Sequence, residues 1–201
     1  MTTRRIGVLG GTFDPPHIAH LVLAANARHD LALDEVRFIP AGQPYRKVNR
    51  DVAPAEARLA MLRAAVADLP WAAVSTIELE RDGPTYTTDT LEVLTADGGD
   101  WWFILGTDAL ADLPHWRDPA RIVEVARLAL ALRPGEFENG DIPPGTLAAV
   151  PGIRDRIDRV RMPLLEISST DLRIRVAEER PTDYLITPPV RAVIDQLGLY
   201  R

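Results

Sequence analysis

At 201 residues the chain is long enough to bury a full core within one domain, or one domain with a small appendage. A composition 46% apolar and 26% charged is ordinary for a globular protein, and a net charge of −6 argues against sequence-independent nucleic-acid binding through a basic face. There is no cysteine, which excludes disulfides, thiolate metal sites and a thiol nucleophile. No apolar stretch approaches the roughly 20 residues of a membrane span, and a strand begins too early for a signal peptide, so a cytoplasmic protein is expected.

Strand-like and helical patterns alternate along the chain. Apolar or β-branched runs predict strands at Arg5–Leu9, Glu35–Pro40, Ala72–Leu79, Trp101–Leu105, Leu128–Leu132 and Pro163–Ile167. Between them, helical spacing predicts Ile18–Leu31, Pro54–Leu69, Thr88–Leu94, Pro119–Val125 and Thr170–Glu179, with Pro54 suited to a first turn. A small helical extension, Pro189–Leu197, follows. Several strands are apolar without alternation, as when both faces are covered. The expectation is an α/β fold: a Rossmann-like, doubly wound parallel sheet with helices on both faces, forming a single domain over 1–201. Ligands of such sheets bind beyond the carboxyl ends of the strands. Pro134–Gly152, rich in Gly and Pro, reads as a surface loop, and Trp101 and Trp102 read as packing residues on opposite strand faces.

The most informative stretch follows the first strand: Gly10-Gly11-Thr12-Phe13-Asp14-Pro15-Pro16-His17-Ile18-Ala19-His20. A glycine-rich turn opening a helix aims main-chain N–H groups and two imidazoles at one place, which suits a polyphosphate. The glycine spacing is not that of a dinucleotide-binding G-x-G-x-x-G turn. Taken alone, His17 and His20 are as readily an ordinary helix-start pair; as metal ligands they lack a nearby third donor.

The whole string resembles the nucleotidyltransferase superfamily marked by a His-x-Gly-His motif. Three further segments resemble bacterial nicotinate-nucleotide adenylyltransferases. They are Gly83-Pro84-Thr85-Tyr86-Thr87-Thr88-Asp89-Thr90-Leu91; Gly106-Thr107-Asp108 with Leu113-Pro114-His115-Trp116; and Ile167-Ser168-Ser169-Thr170 followed by Arg173. The four fall in the family's order. Two positions depart from it: Ala19 replaces the central glycine of His-x-Gly-His, and Gln43-Pro44-Tyr45-Arg46-Lys47 replaces a Pro-Pro-His-Lys-like string. Alanine is the smallest replacement and suits a helix, although its methyl group crowds the approach to the nucleotide.

The resemblance implies transfer of the adenylyl group of ATP to nicotinate mononucleotide, giving deamido-NAD and pyrophosphate. It implies His17 and His20 as catalytic residues. Gly10, Gly11, Thr12, Phe13, Gly106, Asp108, Ser168, Ser169, Thr170 and Arg173 would bind ATP. Asp14, Lys47, Thr85, Tyr86 and Trp116 would bind the mononucleotide, with Trp116 stacked on the nicotinate ring. Mg2+ would enter with ATP, without an assigned protein ligand, since it keeps most of its waters. The partners are these two substrates, with no nucleic acid and no membrane; nothing in the pattern sets an oligomeric state. Each segment also has a plainer reading: Ser168–Thr170 as a helix cap, Arg173 as a surface ion pair, Trp116 as core, Thr85–Tyr86 as turn chemistry. Related activities remain open, namely nicotinamide-mononucleotide or pantetheine-phosphate adenylyl transfer and cytidylyl transfer. So does a non-catalytic nucleotide-binding regulator.

Overall fold

The computed structural model describes residues 3–43, 52–132 and 142–201. Six strands form one sheet in the order β3-β2-β1-β4-β5-β6: β1 Arg5–Gly11, β2 Glu35–Pro40, β3 Ala72–Val74, β4 Asp100–Gly106, β5 Arg127–Leu132 and β6 Ile157–Arg161. The pairings β1–β4, β4–β5 and β5–β6 are parallel, with Ile6 opposite Trp101 and Phe103 opposite Leu128. An order that runs outward in both directions from β1 and β4 is the doubly wound, Rossmann-like pattern expected from the alternating elements.

The helices are α1 Ile18–Asp30, α2 Ala55–Val66, α3 Thr87–Thr95, α4 Thr107–Asp112, α5 Pro119–Val125, α6 Pro144–Ala149, α7 Ser169–Ala177 and α8 Pro188–Leu197. Short 3-10 turns occupy Leu113–His115 and Ile153–Arg156. Among the described residues, no helix is long and apolar enough to cross a membrane.

The chain folds as two compact units, each built from interleaved stretches. One takes its described residues from Met1–Leu9, Leu23–Arg37 and Tyr86–Leu164; the other from Gly10–Val22, Phe38–Thr85 and Leu165–Arg201. In the first, β4 and β5 are buried almost throughout, with Trp101, Trp102, Phe103, Ile104, Leu105, Leu128 and Leu130 each under a tenth exposed. Both tryptophans pack as expected and satisfy their indole N–H groups: Trp101 donates to the Gly98 carbonyl (2.8 Å) and Trp102 to Asp158 Oδ2 (2.7 Å). In the second unit α2 packs on α8. Met61, Leu62 and Ala65 of α2 and Val190 and Ile194 of α8 are buried at helical spacing. Each such large side chain stabilises the fold by about 1.5–3 kcal/mol.

Three expectations are corrected. The last strand is Ile157–Arg161, not Pro163–Ile167. Only Val160 of it is buried, and it carries Asp158, Arg159 and Arg161, as an edge strand tolerates; Pro163 lacks the N–H a ladder needs, and Leu164 is exposed. Strand β3 stops at Val74 instead of Leu79. Beyond it the Thr76 carbonyl accepts from Leu79 and Glu80 in a local turn (2.8 and 3.0 Å). The expected loop Pro134–Gly152 contains α6, opened by Pro144 and held by buried Thr146, whose hydroxyl donates to the Leu110 carbonyl (3.0 Å). Residues 133–141 of that span lie outside the described residues.

Candidate functional site

Gly10 and Gly11 end β1, and the chain then turns through Phe13, whose φ is +52°. The Phe13 ring is buried and meets His20 edge-on at 5.0 Å and Phe38 at 6.1 Å. A Cβ on Gly11 would stand 3.1 Å from the tip of that ring, so the glycine makes room for it. Phe13 thus packs its buried ring against the His20 imidazole.

His17 and His20 stack, with ring centroids 3.7 Å apart. The main-chain N–H of His17 donates to Nδ1 of His20 (3.2 Å), so Nδ1 is the accepting ring nitrogen and Nε2 the protonated one. His17 is buried, and burial pulls its pKa down from 6.5 to about 4. Its Nδ1 is buried with no hydrogen-bond partner. A neutral, unpartnered buried imidazole nitrogen costs free energy, and a ligand oxygen or proton donor would remove that cost.

The first turn of α7 is fastened to the same loop. Ser168 caps the helix by accepting from the Asp171 N–H (3.1 Å), as its sequence position suggests. The Ser169 hydroxyl donates to the Pro15 carbonyl (2.9 Å) and Arg173 Nη1 donates to the Asp14 carbonyl (2.8 Å). Arg173 Nη2 also reaches Thr170 Oγ1 at 3.4 Å. Two motifs far apart in sequence therefore meet, and the free N–H groups of the helix start lie with them.

Two further residues fix this loop, and neither was singled out from sequence. Arg58 of α2 is 2% exposed and donates to the Thr12 (3.0 Å), Ala41 (2.8 Å), Gly42 (3.3 Å) and Ala53 (3.0 Å) carbonyls. Burial lowers its pKa. A signal existed: Arg58 shares the i, i+3, i+4, i+7 stripe of Met61, Leu62 and Ala65, where a cation must have partners. Tyr200, after α8, donates its hydroxyl to Asp14 Oδ1 at 2.6 Å, and no sequence pattern announced it. The Asp14 carboxylate is buried.

In the other compact unit, Gly106 caps α4 with open space where a Cβ would project, and Asp108 is exposed in the first turn. Half-buried Trp116 donates to Asp112 Oδ2 (3.0 Å) and meets Phe103 edge-on at 5.9 Å. Tyr86 lies near it. The Arg117 guanidinium stands 4.7 Å over the Tyr86 ring, and the Thr88 hydroxyl donates to the Arg117 carbonyl (2.6 Å). Thr85, in the unit that holds the histidines, is buried. Lys47 lies outside the described residues. Among the described residues no group of three or more His, Asp or Glu side chains is placed to hold a metal ion.

Residues 8–175 match the cytidylyltransferase-like family model. A probable nicotinate-nucleotide adenylyltransferase from a Roseiflexus species is 47% identical over 203 residues, covering 100% of both chains. Relatives of the same name from Thermomicrobium roseum and Chromobacterium violaceum are 44% and 43% identical, covering 98% of this chain and 92% and 99% of theirs. In fold the chain is similar to the Plasmodium falciparum nicotinic acid mononucleotide adenylyltransferase complexed with APC, with a TM-score of 0.74, 21% identity and coverage of 98% and 97%. The same enzyme complexed with NaAD gives 0.73. With the doubly wound sheet and the four motifs in order, the chain belongs to the cytidylyltransferase-like family and, within it, to the nicotinate-nucleotide adenylyltransferases.

Proposed function

We infer that the chain transfers the adenylyl group of ATP to nicotinate mononucleotide, giving deamido-NAD and pyrophosphate on the way to NAD. The observation that carries this is the fastening of the α7 start to the histidine loop through Ser169–Pro15 and Arg173–Asp14. It gathers two imidazoles, a helix N-terminus and a guanidinium within one compact unit, as an ATP phosphate chain requires.

The acceptor phosphate is already anionic and needs no general base. One of its oxygens attacks the α-phosphorus of ATP. The bond from that phosphorus to the β-phosphate oxygen breaks, and pyrophosphate leaves with the electron pair. Protein work is alignment and charge stabilisation. In this reading His17 and His20 donate to α-phosphate oxygens, and Ser168, Ser169, Thr170 and Arg173 hold the triphosphate tail. Gly10, Gly11, Thr12, Phe13, Gly106 and Asp108 receive the adenosine through main chain and ribose contacts. Open space at Gly106 supports close approach of a ligand to that backbone.

Asp14, Lys47, Thr85, Tyr86 and Trp116 receive nicotinate mononucleotide, with the Trp116 ring as stacking face. Main-chain N–H groups near Thr85–Tyr86 suit a carboxylate, whereas the amide of nicotinamide would set an NH2 against them. Such a mismatch costs roughly 1–3 kcal/mol per buried group. Mg2+ would enter with ATP, where it would offset the triphosphate charge and keep most of its own waters, so no protein ligand is assigned to it. The whole chain, 1–201, acts as one nucleotidyltransferase domain in the cytoplasm. The test is pyrophosphate release from ATP with each mononucleotide. A clear kcat/KM preference for nicotinate mononucleotide is expected, with Trp116→Ala weakening mononucleotide binding and leaving ATP binding little changed. Equal efficiency on both mononucleotides would overturn the carboxylate pocket, and no turnover would overturn the enzyme.

A further inference from the structure

Among the described residues Asp14 is the one acidic residue that is buried, 3% exposed, and it lies on the loop that carries the histidines. Two guanidinium groups stand close to it. Arg58 has its donors committed to the carbonyls of Thr12, Ala41, Gly42 and Ala53. Arg173 uses Nη1 on the Asp14 main-chain oxygen at 2.8 Å and stands 3.6 Å from the carboxylate Oδ2, too long for a hydrogen bond. The short bond to the carboxylate comes from Tyr200, whose hydroxyl meets Oδ1 at 2.6 Å. The Ala53 N–H reaches the same oxygen at 3.4 Å.

Tyr200 reaches this position at a conformational cost. Its φ is +63°, a left-handed conformation unfavourable for a bulky side chain. The phenol oxygen also lies 3.7 Å from Met61 Sδ, so the ring is seated against α2. Burial and the neighbouring carboxylate raise the Tyr200 pKa, so the hydroxyl remains a donor throughout the neutral range.

We propose that Tyr200 is a positioning residue for ATP: by supplying the hydrogen bond that buried Asp14 needs, it keeps Arg173 from closing onto that carboxylate and holds its guanidinium available to the triphosphate tail. This rests on the adenylyl-transfer reading. Without the hydroxyl, Oδ1 is left with one long main-chain bond in a buried site. Arg173 is the adjacent cation not locked by four carbonyls, and a buried carboxylate draws it in.

The test is steady-state kinetics of the full chain, Tyr200→Phe, Arg173→Lys and the double variant, varying ATP and nicotinate mononucleotide separately. Tyr200→Phe keeps the ring and is expected to raise the ATP KM on the order of three- to tenfold, as for one lost hydrogen bond, and to raise the mononucleotide KM, which Asp14 also serves, clearly less. In the Arg173→Lys background the same change should have little further effect, because the residue it acts through has already been altered. A smaller folded fraction lowers the apparent kcat and leaves both KM values in place, so a merely structural role is separable. An unmoved ATP KM, an equal rise in both KM values, or the same rise in both backgrounds overturns the positioning role alone. No turnover by the unmodified chain overturns the adenylyl-transfer reading itself.

Discussion

His17 and His20 lie ring on ring, with planes 27° apart, while the main-chain N–H of one binds Nδ1 of the other. The pair is therefore set in orientation before any ligand arrives, a preorganised donor arrangement of the kind that stabilises developing charge most effectively. Burial keeps His17 neutral at physiological pH. A neutral imidazole can donate a hydrogen bond but supplies no fixed positive charge.

That burial makes stability depend on pH. The unfolded chain binds a proton at His17 near 6.5, the folded one only near 4, so between those values the unfolded state holds more protons. The stabilisation is present above pH 6.5 and is lost as pH falls through 4, amounting to on the order of 3 kcal/mol. Urea unfolding at pH 7 and pH 4.5 should show this loss in the native chain and a smaller loss in His17→Gln. Equal losses would mean that His17 does not govern the acid limb.

Replacing either histidine should separate chemistry from folding. His17→Ala and His20→Ala are each expected to lower kcat by about a hundredfold or more, as when a preorganised donor is removed. Circular dichroism at pH 7 should still report a folded protein. Near-native turnover in both would remove them from the reaction.

Arg58 carries a structural burden that its surface-like residue type conceals. Arg58→Met would leave the carbonyls of Thr12, Ala41, Gly42 and Ala53 without their donor, at a cost of about 3 kcal/mol or more. Arg58→Lys should recover only part of this, since one ammonium cannot span all four acceptors. Denaturant midpoints check both, and a change under half a kilocalorie in Arg58→Met would contradict the assignment.

Gly42 is needed for space. A Cβ there would clash with the Glu78 carbonyl oxygen and stand 3.0 Å from Thr85 Cγ2. Gly42→Ala should destabilise by about 1–3 kcal/mol, the range for overpacking. Gly145 in α6 has nothing within 4 Å of its would-be Cβ, so Gly145→Ala should be neutral or stabilising by about 0.5–1 kcal/mol. Thermal melts of the two variants should move in opposite senses or differ clearly in size.

The parts of this molecule that showed in the sequence are those whose cause is local. Buried strands β4 and β5 are apolar runs, and Ser168 sits where a helix cap must sit. Edge strand β6 escaped because pairing with β5, not hydrophobicity, makes it a strand; its Asp158 answers Arg127 across the ladder (2.6 Å). Thr76 ended β3 early through a turn no periodicity reveals. At the candidate site the histidines and α7 serines formed legible strings. Their supports did not: Arg58 and Tyr200 act from 46 and 186 positions away, through hydrogen bonds that only the folded chain creates.

Those long separations bear on the order in which the protein is made. The histidine loop leaves the ribosome well before its ties are complete: the partners of Asp14 and Pro15 on α7 and at Tyr200 are synthesised more than 150 residues later. A nascent chain arrested before α7 would have its glycine turn and both imidazoles but none of these ties, and closing such a long loop is entropically costly until the contacts repay it. ATP handling is therefore expected to depend on the synthesis of α7 and Tyr200.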